Sequence, residues 1–235
     1  MIASVSEKSL KRDIEVKMTI TTSTNIRYQP IYTPADISLY GHVNPETLRA
    51  WTKGPGTPLI IPAGSGIASY SFVNLIEVHV LVGLRKAHKV PLRHIRKEVK
   101  LLRKRFATQN PLAESDFETD GYEIFFEHQG LKQTASGQTA IREVVDLYLQ
   151  RIEREASGPV RFFPFTTWEK CPKLIVMNPS IDFGRPVIVG TRIETEIIRE
   201  RFDAGESVRF LADDYGVQPE AVEEALRCEP ERRAA

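Results

Sequence analysis

One small helical architecture is written into this chain twice, with opposite charge. Residues 33–53 and residues 194–228 both read as short helices joined by glycine-containing turns. Thr33, Asn44 and Ser207 stand at N-cap positions, and Pro34, Pro45 and Pro219 at helix starts. The first copy runs on into a basic stretch, where ten Lys or Arg stand against one acid, Glu98, between Arg85 and Arg105. The second copy is acidic, with twelve Asp or Glu against five arginines between Glu194 and Arg232. A net charge of +1 conceals this segregation. The basic copy suits a phosphate backbone and the acidic copy suits a protein surface, so the chain is expected to address two different partners.

At 235 residues, with 41% hydrophobic and 27% charged side chains, the chain can bury one large core or two smaller ones. The longest apolar runs, around residues 59–61 and 78–84, are far too short for a membrane-spanning helix. The N-terminus lacks a basic-then-apolar signal pattern, so the expected location is the cytoplasm, with no membrane contact. Cys171 and Cys228 form no CxxC pair and read as reduced thiols.

Residues 1–30 are polar and aperiodic and read as a loosely ordered arm. Thr33 and Pro34 then open a first helix, Gly41-His42-Val43 turns the chain, and Asn44-Pro45 opens a second helix ending at Lys53. This is helix-turn-helix spacing, with residues 44–53 as the recognition helix. Residues 59–61 and 67–70, separated by Ala63-Gly64-Ser65-Gly66, predict a hairpin that would serve as a wing. Ser71 caps a helix apolar on most sides. A further helix begins near Pro91, with Leu92, Ile95, Val99, Leu102 and Phe106 on one face and Arg93, Arg96, Lys97, Lys100, Arg103 and Lys104 on the remainder. Asp120-Gly121 predicts a hairpin turn. Residues 138–155 predict an amphipathic helix with Ile141, Val144, Val145, Tyr148 and Ile152 inward, and the aromatic stretch 161–168 is expected to pack the halves together. Residues 174–177 and 187–189 predict short strands, followed by helices over 194–203, from Ser207 to Gly216, and from Pro219. The expected fold class is α+β and mostly helical: a flexible arm (1–30), a winged helix-turn-helix (31–106), a middle region (107–170), and a small strand-and-three-helix domain (171–235).

On this reading Asn44, Thr47, Arg49 and Lys53 face DNA from the recognition helix, Ser65 reaches it from the wing, and Arg93, Arg96 and Lys97 widen the electrostatic footprint. The alternative is a basic face that is merely solvated. In the rear segment Asp213, Asp214, Glu220, Glu223 and Glu224 would repel phosphate, so that domain is expected to meet protein. Arg185, Arg192 and Arg227 are the groups able to fork onto a partner's carboxylates, unless they brace the turns internally. Asp213-Asp214 with Glu223-Glu224 lacks a histidine and reads as a solvated face rather than a metal site. No nucleophile elbow, phosphate loop or Cys–His pair is present, so no catalytic residue, cofactor or metal is expected and the chain reads as a non-enzyme.

Two runs carry a family resemblance. The order Tyr32-Thr-Pro-Ala-Asp-Ile, Gly41-His-Val-Asn-Pro-Glu-Thr-Leu-Arg-Ala-Trp51, Tyr70-Ser-Phe-Val-Asn-Leu-Ile and Leu84–Arg96 resembles the winged-helix head of MerR-type regulators. It departs from them at Trp51 and in its long Gly/Pro-rich wing. The run Asn178-Pro-Ser-Ile-Asp-Phe-Gly-Arg-Pro-Val-Ile-Val-Gly-Thr-Arg-Ile193, continued through Ala204-Gly-Glu-Ser-Val and Leu211–Pro219, resembles a small antitoxin domain of bacterial toxin–antitoxin modules. Together they resemble a two-domain VapB-type antitoxin of a VapBC module. That resemblance implies a PIN-like ribonuclease toxin as partner, neutralised by the rear domain through Arg185, Arg192, Asp213, Asp214, Glu223 and Arg227. It also implies repression of the shared operon, by a homodimer on palindromic operator DNA. The alternative is a stand-alone MerR-like transcription regulator sensing a small molecule through residues 107–170.

Overall fold

Local capping chemistry sets the first elements of the structure, a computed structural model that describes residues 25–88, 92–114, 143–165 and 172–229. Helix α1 (Pro34–Tyr40) opens with a capping box. Thr33 Oγ1 accepts from the Asp36 amide at 3.2 Å, and Asp36 Oδ2 accepts from the Thr33 amide at 2.7 Å. Four residues later Asn44 Oδ1 accepts from the Glu46 amide at 2.8 Å and starts α2 (Pro45–Lys53). Ser71 and Asn74 exchange two such bonds at the head of α3 (Phe72–His88), and α4 (Leu92–Arg105) follows. The predicted inward face of α4 is observed, with Ile95, Val99 and Leu102 buried. Helix α3 is buried along most of its length and forms the spine of the front core, with Ile37, Leu48 and Trp51 packed in the same cluster. Burying each such side chain stabilises the fold by about 1.5–3 kcal/mol.

The predicted wing hairpin is absent. Between Gly54 and Tyr70 there is no strand ladder, only one isolated bridge pairing Tyr32 with Tyr70. Pro58 and Pro62 flank the expected first strand, 59–61, and neither has an amide to donate to a ladder, which keeps any pairing from extending at its ends. The loop is instead laid on the core by non-local bonds. The Leu59 amide donates to the Trp51 carbonyl at 2.8 Å, and Asn74 Nδ2 donates to the Ile61 carbonyl at 2.9 Å. Leu59 and Ile60 are consecutive and both fully buried, a pattern no half-exposed strand shows.

The predicted helix over 138–155 also needs correction. Residues 143–149 are helical, but Ile152–Glu155 is a strand, β1, paired antiparallel with β2 (Gly158–Phe162) through a bulge at Glu153/Arg154. Val145 and Tyr148 face inward as expected, and Ile152 is buried from a strand rather than a helix. An added Cβ at Gly83 would fall 2.6 Å from the Tyr148 ring, so glycine lets this short helix lie directly on α3. Arg151 ends it by donating from Nε to the Phe163 carbonyl at 2.7 Å.

β3 (Ile175–Met177) and β4 (Pro186–Ile188) extend the sheet in the order β1-β2-β3-β4, antiparallel throughout. The expected α+β class is thus observed. The sheet is the seam between two cores: Phe162 and Met177 belong to the front cluster, while Ile175 and Ile188 belong to the rear one. The rear core is completed by α5 (Thr195–Asp203), α6 (Val208–Tyr215) and α7 (Pro219–Cys228), which bury Ile198, Leu211, Val222 and Ala225. Ser207 caps α6 and Gly216 closes it, as the sequence indicates. A second tie crosses the molecule, because the buried Tyr32 hydroxyl donates to the Gly184 carbonyl at 2.7 Å. Gly184 has φ +78, and a Cβ there would lie 2.3 Å from that hydroxyl, so both conformation and space demand glycine. The expected loose arm over 1–30 is corrected at its end, where Ile26–Tyr28 form a 3-10 turn capped by Asn25 and Tyr28 packs on the front core. Residues 1–24, the Asp120-Gly121 hairpin, Trp168 and Cys171 lie outside the described residues. Cys228 is buried in the rear core.

Candidate nucleic-acid and protein interfaces

The front surface is built by α2 and α4. Leu48 and Trp51 bury one side of α2, which leaves Arg49 and Lys53 exposed on the other and Thr47 partly covered. Asn44 is exposed, but its side-chain oxygen is engaged in the cap. On α4, Arg93 and Lys97 are exposed. Arg96 is not free in the same way: its Nη2 donates to the Ala50 carbonyl at 2.8 Å, satisfying an orphan carbonyl near the end of α2 and fixing that helix against α4. Ser65 is exposed, on an irregular loop instead of a hairpin.

Sequence reasoning missed Arg103, which grips the loop through the Pro58, Leu59 and Gln109 carbonyls at 2.7, 2.8 and 3.0 Å. Its place in a run of solvated cations gave no signal. Beneath the same region Glu77 is fully buried, and Asn110 donates to its Oε2 at 2.8 Å. Burial pushes the Glu77 carboxyl up to about 8, so it is mostly neutral at pH 7 and subtracts little from the positive front. His79, also fully buried, donates from Nε2 to the Tyr148 carbonyl at 2.9 Å. Burial pushes it down to about 3, so it is neutral too.

The rear surface treats charge differently. Arg185 pairs with Glu194 at 2.8 Å and approaches Glu196 at 3.9 Å, while Arg192 pairs with Asp182 at 2.9 Å. For these two arginines the structure shows the turn-bracing arrangement. Arg227 pairs with Glu223 at 3.0 Å and Glu224 at 2.5 Å, and Asp214 receives Arg201 at 2.6 Å. Asp213 is exposed. The acids and arginines singled out from the sequence are therefore brought together mainly with one another. The sequence reading also passed over the exposed apolar side chains of this half. Phe210 is 54% exposed on α6, out of register with the inward Leu211. Phe183 is 77% exposed on a turn where Asp182 and Phe183 both have positive φ, 43° and 54°. Among the described residues no group of three or more His, Cys, Asp or Glu is arranged to hold a metal ion, and no helix is long and apolar enough to cross a membrane.

A family described as "Protein of unknown function (DUF433)" matches residues 175–227, which span β3 to α7. A Mycobacterium tuberculosis protein described as "Putative antitoxin VapB45" is 29% identical, over 84% of this chain and 92% of its own length. This chain resembles an antitoxin. A second Mycobacterium tuberculosis protein, "Uncharacterized protein Rv2308", is 25% identical over 86% of this chain and 91% of its own length. The X-ray crystal structure of Rv2018 from the same organism superposes with a TM-score of 0.69 at 27% identity, covering 84% of this chain and 98% of that one. The similarity therefore extends across both cores and the sheet between them.

Proposed function

We propose that this chain is the antitoxin of a type II toxin–antitoxin module. The observation that carries the reading is the similarity to the VapB45 protein, which runs through most of both chains rather than through the rear domain alone. In finer detail, the rear domain neutralises a PIN-like ribonuclease of the VapBC kind, and the front helices repress the shared operon as a homodimer on operator DNA.

Charge segregation supports both halves of the proposal. On the front, the α2 N-terminus and Thr47 enter the major groove with Arg49, while Lys53, Arg93 and Lys97 meet phosphates. Arg96 then acts as a positioning residue, holding α2 at a fixed angle to the basic helix. Ser65 contacts backbone from its loop without a β-wing. On the rear, Asp213, Asp214 and Glu223 offer an anionic face to a basic RNA channel. Arg185 and Arg192 can exchange their present acids for the toxin's carboxylates, because exposed ion pairs contribute only about 0–1 kcal/mol each; Arg227 can release its exposed partner Glu223 while it stays paired with the buried Glu224.

Two measurements test this reading. Co-expression with the product of the adjacent reading frame should yield a stable complex and relieve its growth inhibition; failure of both discards the antitoxin assignment. A gel shift on the chain's own upstream DNA should weaken with salt, and Arg49→Ala should weaken it further. Lys97→Ala should lower the salt slope by about one unit across all sequences. No shift at low salt, with or without the toxin, would remove the DNA half of the proposal.

A further inference from the structure

A cleft of roughly 330 Å³ lies where α1 meets the rear domain. Its walls include Asp36 and Tyr40 from α1, Phe183 and Arg185 from the turn before β4, and Glu196 and Glu229 from the ends of α5 and α7. Counting Glu194 as well, four carboxylates line it against one guanidinium. Arg185 is already directed to Glu194 at 2.8 Å, with Glu196 at 3.9 Å.

Two acceptor positions in the cleft are uncommitted among the described residues. Asp36 Oδ2 accepts from both the Thr33 amide at 2.7 Å and the Thr33 hydroxyl at 2.8 Å, which leaves its Oδ1. Glu229 Oε1 takes both the Tyr40 hydroxyl at 3.2 Å and the Thr195 hydroxyl at 2.5 Å, which leaves its Oε2. Tyr40 stands one helical turn beyond Asp36 and its hydroxyl donates to Glu229, so two carboxylates from different elements act on one tyrosine. Burial and, to a smaller extent, the neighbouring Glu196 raise the Glu229 carboxyl above its ordinary range, while the nearby Arg199 lowers it.

A planar cation with several N–H donors, able to lie against an aromatic ring, satisfies this arrangement. A free small cation would fill the cleft but leave Phe183 uncovered at its mouth, 77% exposed and held outward by two consecutive left-handed residues. Only a polypeptide surface covers both. We propose that this cleft is the docking site for an arginine side chain presented by a protein partner, with Phe183 as the apolar anchor beside it. The inference needs neither DNA nor ribonuclease activity, so it stands or falls apart from the antitoxin reading.

The probes are a capped Leu-Arg-Leu tripeptide, its citrulline counterpart and arginine amide, titrated into the full chain by calorimetry and NMR. The arginine tripeptide should bind saturably and about tenfold tighter than the citrulline peptide. Glu229→Gln keeps an acceptor for Tyr40 and Thr195 yet removes the charge, and should weaken the arginine peptide about tenfold. Glu196→Gln supplies a second variant on another helix and should weaken it as well. Phe183→Ala should weaken the tripeptide and leave arginine amide unchanged. Equal binding of the citrulline peptide, or no saturation by either peptide, would overturn the site. Arginine amide binding as tightly as the tripeptide, with Phe183→Ala silent, would overturn the protein partner.

Discussion

The front helices bury Glu77, His79 and Glu98 and turn Arg49, Lys53, Arg93 and Lys97 to solvent, whereas the rear helices knit their acids and arginines together at the surface. In the front half, burial holds Glu77 and His79 neutral, and the exposed charge is mainly positive, with Glu46 at the start of α2 as an exposed acid. In the rear half, the acidic excess is partly screened by Arg185, Arg192, Arg201 and Arg227, and exposed phenylalanines stand between the pairs. A mainly positive surface suits a polyanion whose charge repeats. A mixed surface with apolar anchors suits a shaped protein partner. Net charge alone would have hidden the contrast.

The comparison can be broken most forcefully in the cores. Leu75→Ala in the front and Leu211→Ala in the rear should each cost about 2–5 kcal/mol, read by chemical denaturation. Because one sheet contributes side chains to both cores, each variant should still unfold in a single transition. Two separated transitions would show that the halves are independent. Next in size, Gly184→Ala should cost about 2–3 kcal/mol, from left-handed strain and from the clash with Tyr32. Tyr32→Phe combined with it should recover part of that loss.

The pH dependence sharpens the contrast on the front side. Glu77 moves from an ordinary 4.5 to about 8 on folding, so the folded state holds the extra proton between those values. Its contribution is therefore most favourable at or below pH 4.5 and is lost as pH rises toward 8. His79 moves from 6.5 to about 3, and its contribution is lost as pH falls through that window. Glu77→Gln should raise the melting temperature at pH 8 by roughly 5 °C and leave it nearly unchanged at pH 4.5. A pH-independent effect would contradict the buried neutral carboxyl. The smallest effect belongs to the rear surface, where Arg185→Ala should cost less than about 1 kcal/mol and lose even that at high salt.

Much of the fold was legible because its signals are local. Thr33-Pro34 with Asp36, Asn44-Pro45, Ser207, Gly216 and Pro219 mark helix ends within four residues of chain, and the structure honours each one. The two misreadings were settled at long range. A hairpin at 59–70 failed because Asn74 and Arg103 compete for the loop's carbonyls. The helical period through Ile152 failed because β2, reached only after the turn at 156–157, captures that residue as a strand. The candidate sites were legible as residue types but not as partnerships. The bond by which Arg96 also holds Ala50 leaves no mark in the sequence, and nothing there links Asp36 to Glu229 across 193 positions.

The bond from Tyr32 to Gly184 bears on how such a protein would be cleared from a cell. A protease that cut away everything after β2 would strip a buried phenol of its acceptor and uncover the flank of Phe162 where Met177 had packed. The remaining fragment would not persist as a free-standing folded piece. Clipping the tail would condemn the head, so under the proposed function loss of toxin control and loss of operator occupancy would come from a single cleavage.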